Sequence, residues 1–242
     1  MAARAGAALP LVIVTGMAFE ARIARAPGIE VVHAAQAERL ERMLEEALSR
    51  GAAGVMSFGT AGGLSPDLRP GAIVVAEAVD GPAGRRSTDI DWSARIALAL
   101  RASLPAVRIE FGPMAAVTAP VVTQAQKEAL HRTTGALAVD MESHVAAEQA
   151  RRRGLPFAVC RAIVDPAWRT LPPAATAGLR EDGTTALGPI LRELARGPEQ
   201  LPAMIRLAFD ARAARSSLVA AKAALLDAGA LRVARATFGA AR

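Results

Sequence analysis

Three carboxylates stand where apolar, strand-like runs give way to small polar clusters. They are Glu20 in Thr15-Gly16-Met17-Ala18-Phe19-Glu20, Glu142 in Val139-Asp140-Met141-Glu142-Ser143, and Asp165 in Arg161-Ala162-Ile163-Val164-Asp165. A fourth run opens into Ser57-Phe58-Gly59-Thr60-Ala61-Gly62-Gly63-Leu64. Open α/β sheets bind ligands outside the carboxyl ends of their strands, so the four segments are expected to meet over one sheet edge. A carboxyl group there can serve as an acid if burial and like-charged neighbours keep it protonated. The glycine-rich segment reads as a turn whose backbone N–H groups, with Thr60 Oγ1, can hold an anion or a water.

Taken singly, each residue has a plainer reading. Glu142 suits the start of a helix, where an acid complements the macrodipole. Asp165 suits an N-cap followed by Pro166 at the first position, and Glu20 suits a solvated first helical turn. His33, His131 and His144 have no partners at metal-ligand spacing, so no metal site is expected. His144 reads more readily as a helix-surface or partner-contacting histidine than as a site residue. Cys160, inside an apolar run, reads as core.

The elements that must position these groups alternate between strand and helix. Leu9–Gly16, Ile29–His33, Gly54–Phe58, Ala72–Val79, Ala136–Asp140 and Leu155–Ile163 read as strands, with one or two more in Val107–Val117. Gln36–Arg50 carries Leu40, Met43, Leu44, Ala47 and Leu48 at helical spacing. Ile96–Leu104, Gln124–Arg132 and Ser143–Arg153 are also predicted helices. Gly59–Gly63 is predicted as a turn, Asp80–Asp91 as a surface loop, and Leu201–Ala236 as a long helix, basic on one face. The βαβ alternation predicts an α/β fold with a helix-flanked, mostly parallel sheet. Residues 1–200 are expected to form one α/β domain and 201–242 a helical extension of it.

Bulk properties narrow the function classes. A chain of 242 residues with 52% hydrophobic content can bury a full core. No run of about 18 uncharged apolar residues exists, so a spanning helix is not expected. A single cysteine suits a reducing cytoplasm. The formal charge of +6 is carried almost wholly by arginine, with Lys127 and Lys222 the only lysines. Aromatic content is 3% with no tyrosine, so stacking platforms are scarce and nucleic acid is not the expected partner.

In combination the four segments resemble the nucleoside phosphorylase and nucleosidase superfamily, which cuts the N-glycosidic bond of purine ribonucleosides. The resemblance spans Leu9 to Pro173. It implies a three-layer αβα sandwich around a central mixed, mostly parallel sheet, with a long C-terminal helical segment. It also implies that Glu142, beside Met141, binds the ribose hydroxyls, that Asp165 protonates N7 of the leaving purine, and that Glu20 orients or deprotonates the attacking water. Thr60, Ala61 and Gly62 would hold the nucleophile, and Val121 or Val122 would stand where related nucleosidases stack a phenylalanine on adenine. Phe19 or Trp168 could cover the base instead.

This chain departs from the pattern at two further places. Val164 precedes Asp165 where nucleosidases usually carry serine, which removes a supporting hydrogen bond. Ser57, with Met56 before it, stands where phosphorolytic relatives place a phosphate-binding arginine. Phosphate as co-substrate would then need Arg69, Arg85 or Arg86. A retained Glu20 and the missing arginine tilt the nucleophile toward water, with phosphorolysis still open.

Gly16-Met17-Ala18-Phe19-Glu20, Asp140-Met141-Glu142-Ser143-His144 and Leu201-Pro202-Ala203-Met204-Ile205-Arg206-Leu207 resemble the hopanoid-associated phosphorylase branch. That resemblance implies adenosylhopane, a lipid-linked adenosine, as substrate and adenine as product. Related enzymes suggest a homo-oligomer, a dimer in the simplest case. The basic segment Ile205–Arg235 suits either contact with an anionic bilayer or packing on the domain or a twin subunit. A soluble substrate of the methylthioadenosine or adenosylhomocysteine type is the alternative. So is a nucleoside-binding module that has lost its chemistry, since fold alone does not prove activity.

Overall fold

A computed structural model describes residues 8–178, 180 and 182–233. In chain order the elements are β1 Leu11–Thr15, α1 Ala18–Ala24, β2 Ile29–His33, α2 Ala37–Ser49, β3 Gly54–Gly63, β4 Ile73–Gly81 and β5 Gly84–Ser87. There follow α3 Ile90–Ser103, β6 Ile109–Ala116, α4 Gln124–Thr134, β7 Ala138–Asp140, α5 Ser143–Arg152 and β8 Phe157–Asp165. Three further helices follow among the described residues: α6 Pro173–Ala177, α7 Leu187–Arg196 and α8 Leu201–Asp227, with a 3₁₀ turn at Pro198–Gln200 ahead of the last.

The eight strands run β2-β1-β3-β7-β6-β4-β5, with β8 pairing to both β3 and β4. β1 pairs in parallel with β2 and β3, as do β3 with β8, β4 with β6 and β6 with β7. The β3–β7, β4–β5 and β4–β8 pairs are antiparallel, so the sheet is mixed and mostly parallel. Because β8 bridges β3 and β4, the strands β3, β7, β6, β4 and β8 close into a ring.

Strand alternation feeds two cores. Val12, Val14, Val55, Val74, Phe157 and Val159 face α2 and α5, which bury Leu40, Leu44, Ala146 and Ala150 there. Leu11, Ile13, Met56, Ile73, Val75 and Cys160 face the opposite layer, which holds Ala24 of α1, Ile96 and Leu100 of α3 and Leu218 and Leu225 of α8. The three-layer α/β architecture expected from the sequence is the one found. Cys160 is fully buried, and burial pushes its thiol up to about 12.

Three local expectations need correction. Gly59–Gly63 is not a turn, because β3 runs on through it to pair with β8 and β7. Glycine serves there as a close-approach residue: a Cβ on Gly59 would lie 2.7 Å from both Arg161 Nη1 and the Glu20 carboxyl. Asp80–Asp91 is not a plain surface loop, since β4 folds back into β5 and Asp89 caps α3 through Trp92 N–H at 2.9 Å. The segment that Pro166, Pro172 and Pro173 suggest is a loop instead holds α6 and α7, the latter with Leu187, Ile190, Leu191 and Leu194 at helical spacing. The long C-terminal helix ends at Asp227, and the predicted end of that helix, Ala236, lies outside the described residues.

The buried residues of α8 all lie in its second half. Ala214, Ser217, Leu218, Ala221, Ala224 and Leu225 are buried at helical spacing, whereas α7 buries none of its residues. Leu218→Ala should therefore cost about 2–5 kcal/mol in chemical denaturation, as large-to-small core changes do. Val219→Ala, at a position 50% exposed on the same helix, should stay within about 0.5 kcal/mol. Equal effects would show that α8 is not docked as described.

Candidate active site

The carboxyl ends of β1, β3, β7 and β8 open onto one cavity of about 360 Å³, within the range of small-molecule sites. Glu20, Thr60, Ala61, Gly62, Val121, Met141, Glu142 and Asp165 all line it, together with Gly16, Met17, Phe19 and Asp140. The structure thus brings the three carboxylates of the sequence pattern to a single space. Val122 does not line it: its N–H is held by Gln126 at 3.1 Å and its carbonyl by Leu171 N–H at 2.9 Å. Trp168 is 46% exposed and also lies off the lining.

Glu20 sits in the first turn of α1, 1% exposed. Its Oε2 accepts from Gly16 N–H at 3.2 Å and Met17 N–H at 3.0 Å. Its Oε1 accepts from Thr60 N–H and Thr60 Oγ1, each at 2.7 Å. The backbone donor expected to cradle an anion on the Gly59–Gly63 segment is thus already spent on Glu20.

Glu142 starts α5 and packs over Gly16, whose added Cβ would fall 2.2 Å from Glu142 Oε1. Its Oε2 pairs with Arg161 Nη2 at 3.1 Å. Burial pushes this carboxyl up to about 7, with Arg161 pulling the other way and Asp140 and Glu20 adding like charge. Asp140, at the end of β7, pairs with Arg161 Nε at 2.8 Å and accepts from the Ser143 hydroxyl and from Ser143 N–H at 3.1 Å.

Arg161 is the site residue that the sequence reading quoted without giving it a task. It is fully buried, donates to Ser57 Oγ at 2.6 Å and to Thr60 O at 3.2 Å, and joins Asp140 to Glu142. Burial works against its charge, and Asp140, Glu142 and Glu20 more than reverse that. A charged residue inside an otherwise apolar strand was the available signal, because arginine is almost never fully buried unless paired. Ser57, where relatives' phosphate arginine was sought, receives this arginine instead.

Asp165 ends β8, and its Oδ2 lies 2.5 Å from Lys127 Nζ of α4. Burial pushes Asp165 up and Lys127 pulls it down. Lys127 is a second residue that the sequence reading passed over as a site member. Arg69, Arg85 and Arg86, the cations considered for phosphate, are elsewhere: Arg85 pairs with Glu77 and Asp80, Arg86 with Glu148, and none lines the cavity. His144 lines a separate cavity of about 210 Å³ with Glu41 and Glu148. Among the described residues there is no cluster of His, Cys, Asp and Glu that could hold a metal ion.

The family model described as the phosphorylase superfamily matches residues 11–186, which supply all of the cavity's lining except Leu207 and Ala211 of α8. The chain belongs to the phosphorylase superfamily. No curated protein sequence matches it. Among solved structures it resembles the 5′-methylthioadenosine/S-adenosylhomocysteine nucleosidase of Neisseria meningitidis in complex with methylthio-immucillin-A. That match has 15% identity and a TM-score of 0.65, over 90% of this chain and 98% of that one. The Helicobacter pylori nucleosidase of the same name, with butyl-thio-DADMe-Immucillin-A, matches at 16% identity and TM-score 0.63 over 92% and 98%. Helicobacter pylori futalosine hydrolase matches at 18% identity and TM-score 0.58 over 66% and 89%. At such identities the likeness is one of fold. As a superfamily member the protein is an enzyme of the nucleosidase and nucleoside phosphorylase class.

Glu142 gives this enzyme a pH signature. An unfolded glutamate titrates near 4.5, so between that value and about 7 the folded state holds the extra proton. The associated stability is full below pH 4.5 and is lost as pH rises through about 7. Glu142→Gln has no such proton to lose and should flatten this slope in urea unfolding measured from pH 5 to 8. An unaltered slope would assign it to another group.

Proposed function

We propose that the enzyme hydrolyses the N-glycosidic bond of a 5′-substituted adenosine, with water rather than phosphate as nucleophile. The observation that carries this is the charge of the cavity wall. Glu20, Asp140, Glu142 and Asp165 line it, and among the described residues no lysine or arginine does. The two buried cations beside it are already matched, Arg161 to Asp140 and Glu142 and Lys127 to Asp165. A phosphate dianion would find no unpaired cation at the wall and would meet carboxylates instead, whereas a ribose turning cationic would be drawn to them.

In this reading the purine lies against Val121 and Asp165, and the ribose hydroxyls donate to Glu142. Water attacks C1′ as the C1′–N9 bond breaks, and the bonding pair passes into the purine. Asp165 gives its proton to N7, and Glu20 accepts the proton that the water loses. The Thr60 hydroxyl can rotate to another acceptor, which frees a lone pair on Glu20 Oε1 for that water. Enzymes that cut the bond with inversion need this arrangement of acid and base on opposite faces of the sugar.

The 5′ substituent we propose is a hopane, as in adenosylhopane, delivered from a membrane surface. What supports it is the apolar wall formed by α6 and α8. Leu207 and Ala211 of α8 line the cavity, while Leu201, Ile205 and Phe209 of the same helix and Leu187 and Leu191 of α7 stand in solvent, 50–71% exposed. Arg192, Arg196 and Arg206 lie among them and suit an anionic bilayer. No helix among the described residues is long and apolar enough to cross a membrane, so the contact proposed is peripheral, on the cytoplasmic face.

Two experiments test this reading. Adenine release from 5′-substituted adenosines should proceed equally with and without phosphate, and Asp165→Asn should lower kcat by about 10²-fold or more, the usual weight of a general acid. Strict phosphate dependence, or undiminished turnover in Asp165→Asn, would overturn it. The intact protein should also sediment with anionic vesicles, and Leu187→Ser with Ile205→Ser and Phe209→Ser should abolish this. A surface covered instead by a second copy would show as a dimer that the triple variant dissociates, with no vesicle binding in either protein.

A further inference from the structure

Asp165 is the group most exposed to a conflict of demands. It must carry a proton before the glycosidic bond breaks and surrender it as adenine leaves, and burial favours only the first. Lys127 bears on the second. Its side chain is fully buried, and its ammonium directs one N–H at each of three oxygens: Asp165 Oδ2 at 2.5 Å, Pro166 O at 3.0 Å and Arg169 O at 3.0 Å. An ammonium has three donors, so none remains for a ligand, and Lys127 does not line the cavity. Asp165 Oδ1 is the oxygen that Lys127 leaves unengaged.

We infer that Lys127 is a positioning residue that fixes Asp165 with Oδ1 toward the purine and strengthens it as the leaving-group acid, an inference resting on the hydrolase reading above. With Oδ2 held by the lysine, the transferable proton resides on Oδ1. As it passes to N7 the negative charge spreads to Oδ2, and the Lys127 contact turns from a hydrogen bond to a neutral carboxyl into a full ion pair. The interaction is therefore stronger at the transition state than before it, the condition for lowering a barrier. The carbonyls of Pro166 and Arg169 tie the same ammonium to the segment that follows β8, so the acid and the chain behind it are placed together.

The other charges facing Asp165 are few. Asp210 of α8 adds like charge from across the helix layer, and Arg169 pairs with Asp210 at 2.9 Å. Lys127 is the opposite charge in direct contact, so its removal should leave burial unopposed and raise the pH at which Asp165 loses its proton.

The test is the pH profile of adenine release by the full chain. Lys127→Met should lower kcat about tenfold or more at pH 7 with little change in KM. It should also shift the basic limb of kcat/KM upward by about one pH unit or more, the scale of a contact charge. Lys127→Arg should recover part of both. An unmoved basic limb, or a Lys127→Arg protein no better than Lys127→Met, would overturn the inference in favour of a purely structural lysine. Should Lys127→Met fail to fold, Lys127→Gln keeps donors without the charge and must show the same limb shift. If the wild-type protein released no adenine, the hydrolase reading would fail alone. The ¹³C-carboxyl signal of Asp165, assigned with Asp165→Asn, would still decide whether its titration moves upward without Lys127.

Discussion

A guanidinium carried out of water costs several kcal/mol unless carboxylates meet it at close range, and Arg161 is met by two, Asp140 at 2.8 Å and Glu142 at 3.1 Å. These partners come from the end of β7 and the start of α5, while Ser57 and Thr60, which also hold Arg161, belong to β3. One buried cation therefore ties three strands and a helix start into a single arrangement. Glu20 is hung on the same frame through Thr60. Remove the arginine and the carboxylates have only each other for company. Their positions around the cavity are a consequence of charge balance before they are a matter of catalysis.

The second cation, Lys127, has the same logic with a different outcome. Where Arg161 is met by Asp140 and Glu142, Lys127 is met by Asp165, the acid of the proposed reaction. Both lie just behind the wall, so the cavity itself presents acids alone. In the proposed hydrolysis such a wall would favour a sugar that gains positive charge over an oxyanion, since among the described residues no lysine or arginine stands at the lining.

Much of the fold could be read from the chain, because the sheet's strands are short apolar runs closed by glycine or proline and their helices carry a clean apolar stripe. Ile29–His33 matches its predicted bounds, and Gln36–Arg50 differs from α2 by one residue at each end. The misreading at Gly59–Gly63 has a physical cause. Glycines in sequence usually mark turns, but here Gly59 is small because Arg161 and Glu20 lie against a strand that continues. The cavity's acids were legible because they sit at strand ends. Arg161 and Lys127 were not, since pattern reading seeks groups that face a ligand and these two face other side chains. Their traces were there all the same: a charge within an apolar strand, and one of two lysines in an arginine-rich chain. α7 was legible too, since Leu187, Ile190, Leu191 and Leu194 fall at helical spacing, but the prolines ahead of it suggested a loop.

The ring that β8 completes by joining β3 to β4 bears on how anything gets in or out. Strands hydrogen-bonded all the way round have no free edge to part, so the floor beneath the acids behaves as a fixed plate. The roof over this floor is helical, where α7 buries none of its residues and the leading half of α8 is held through the Asp210–Arg169 pair. The acids are thus set by strands that close on themselves, and the cavity's outer side is left to helices.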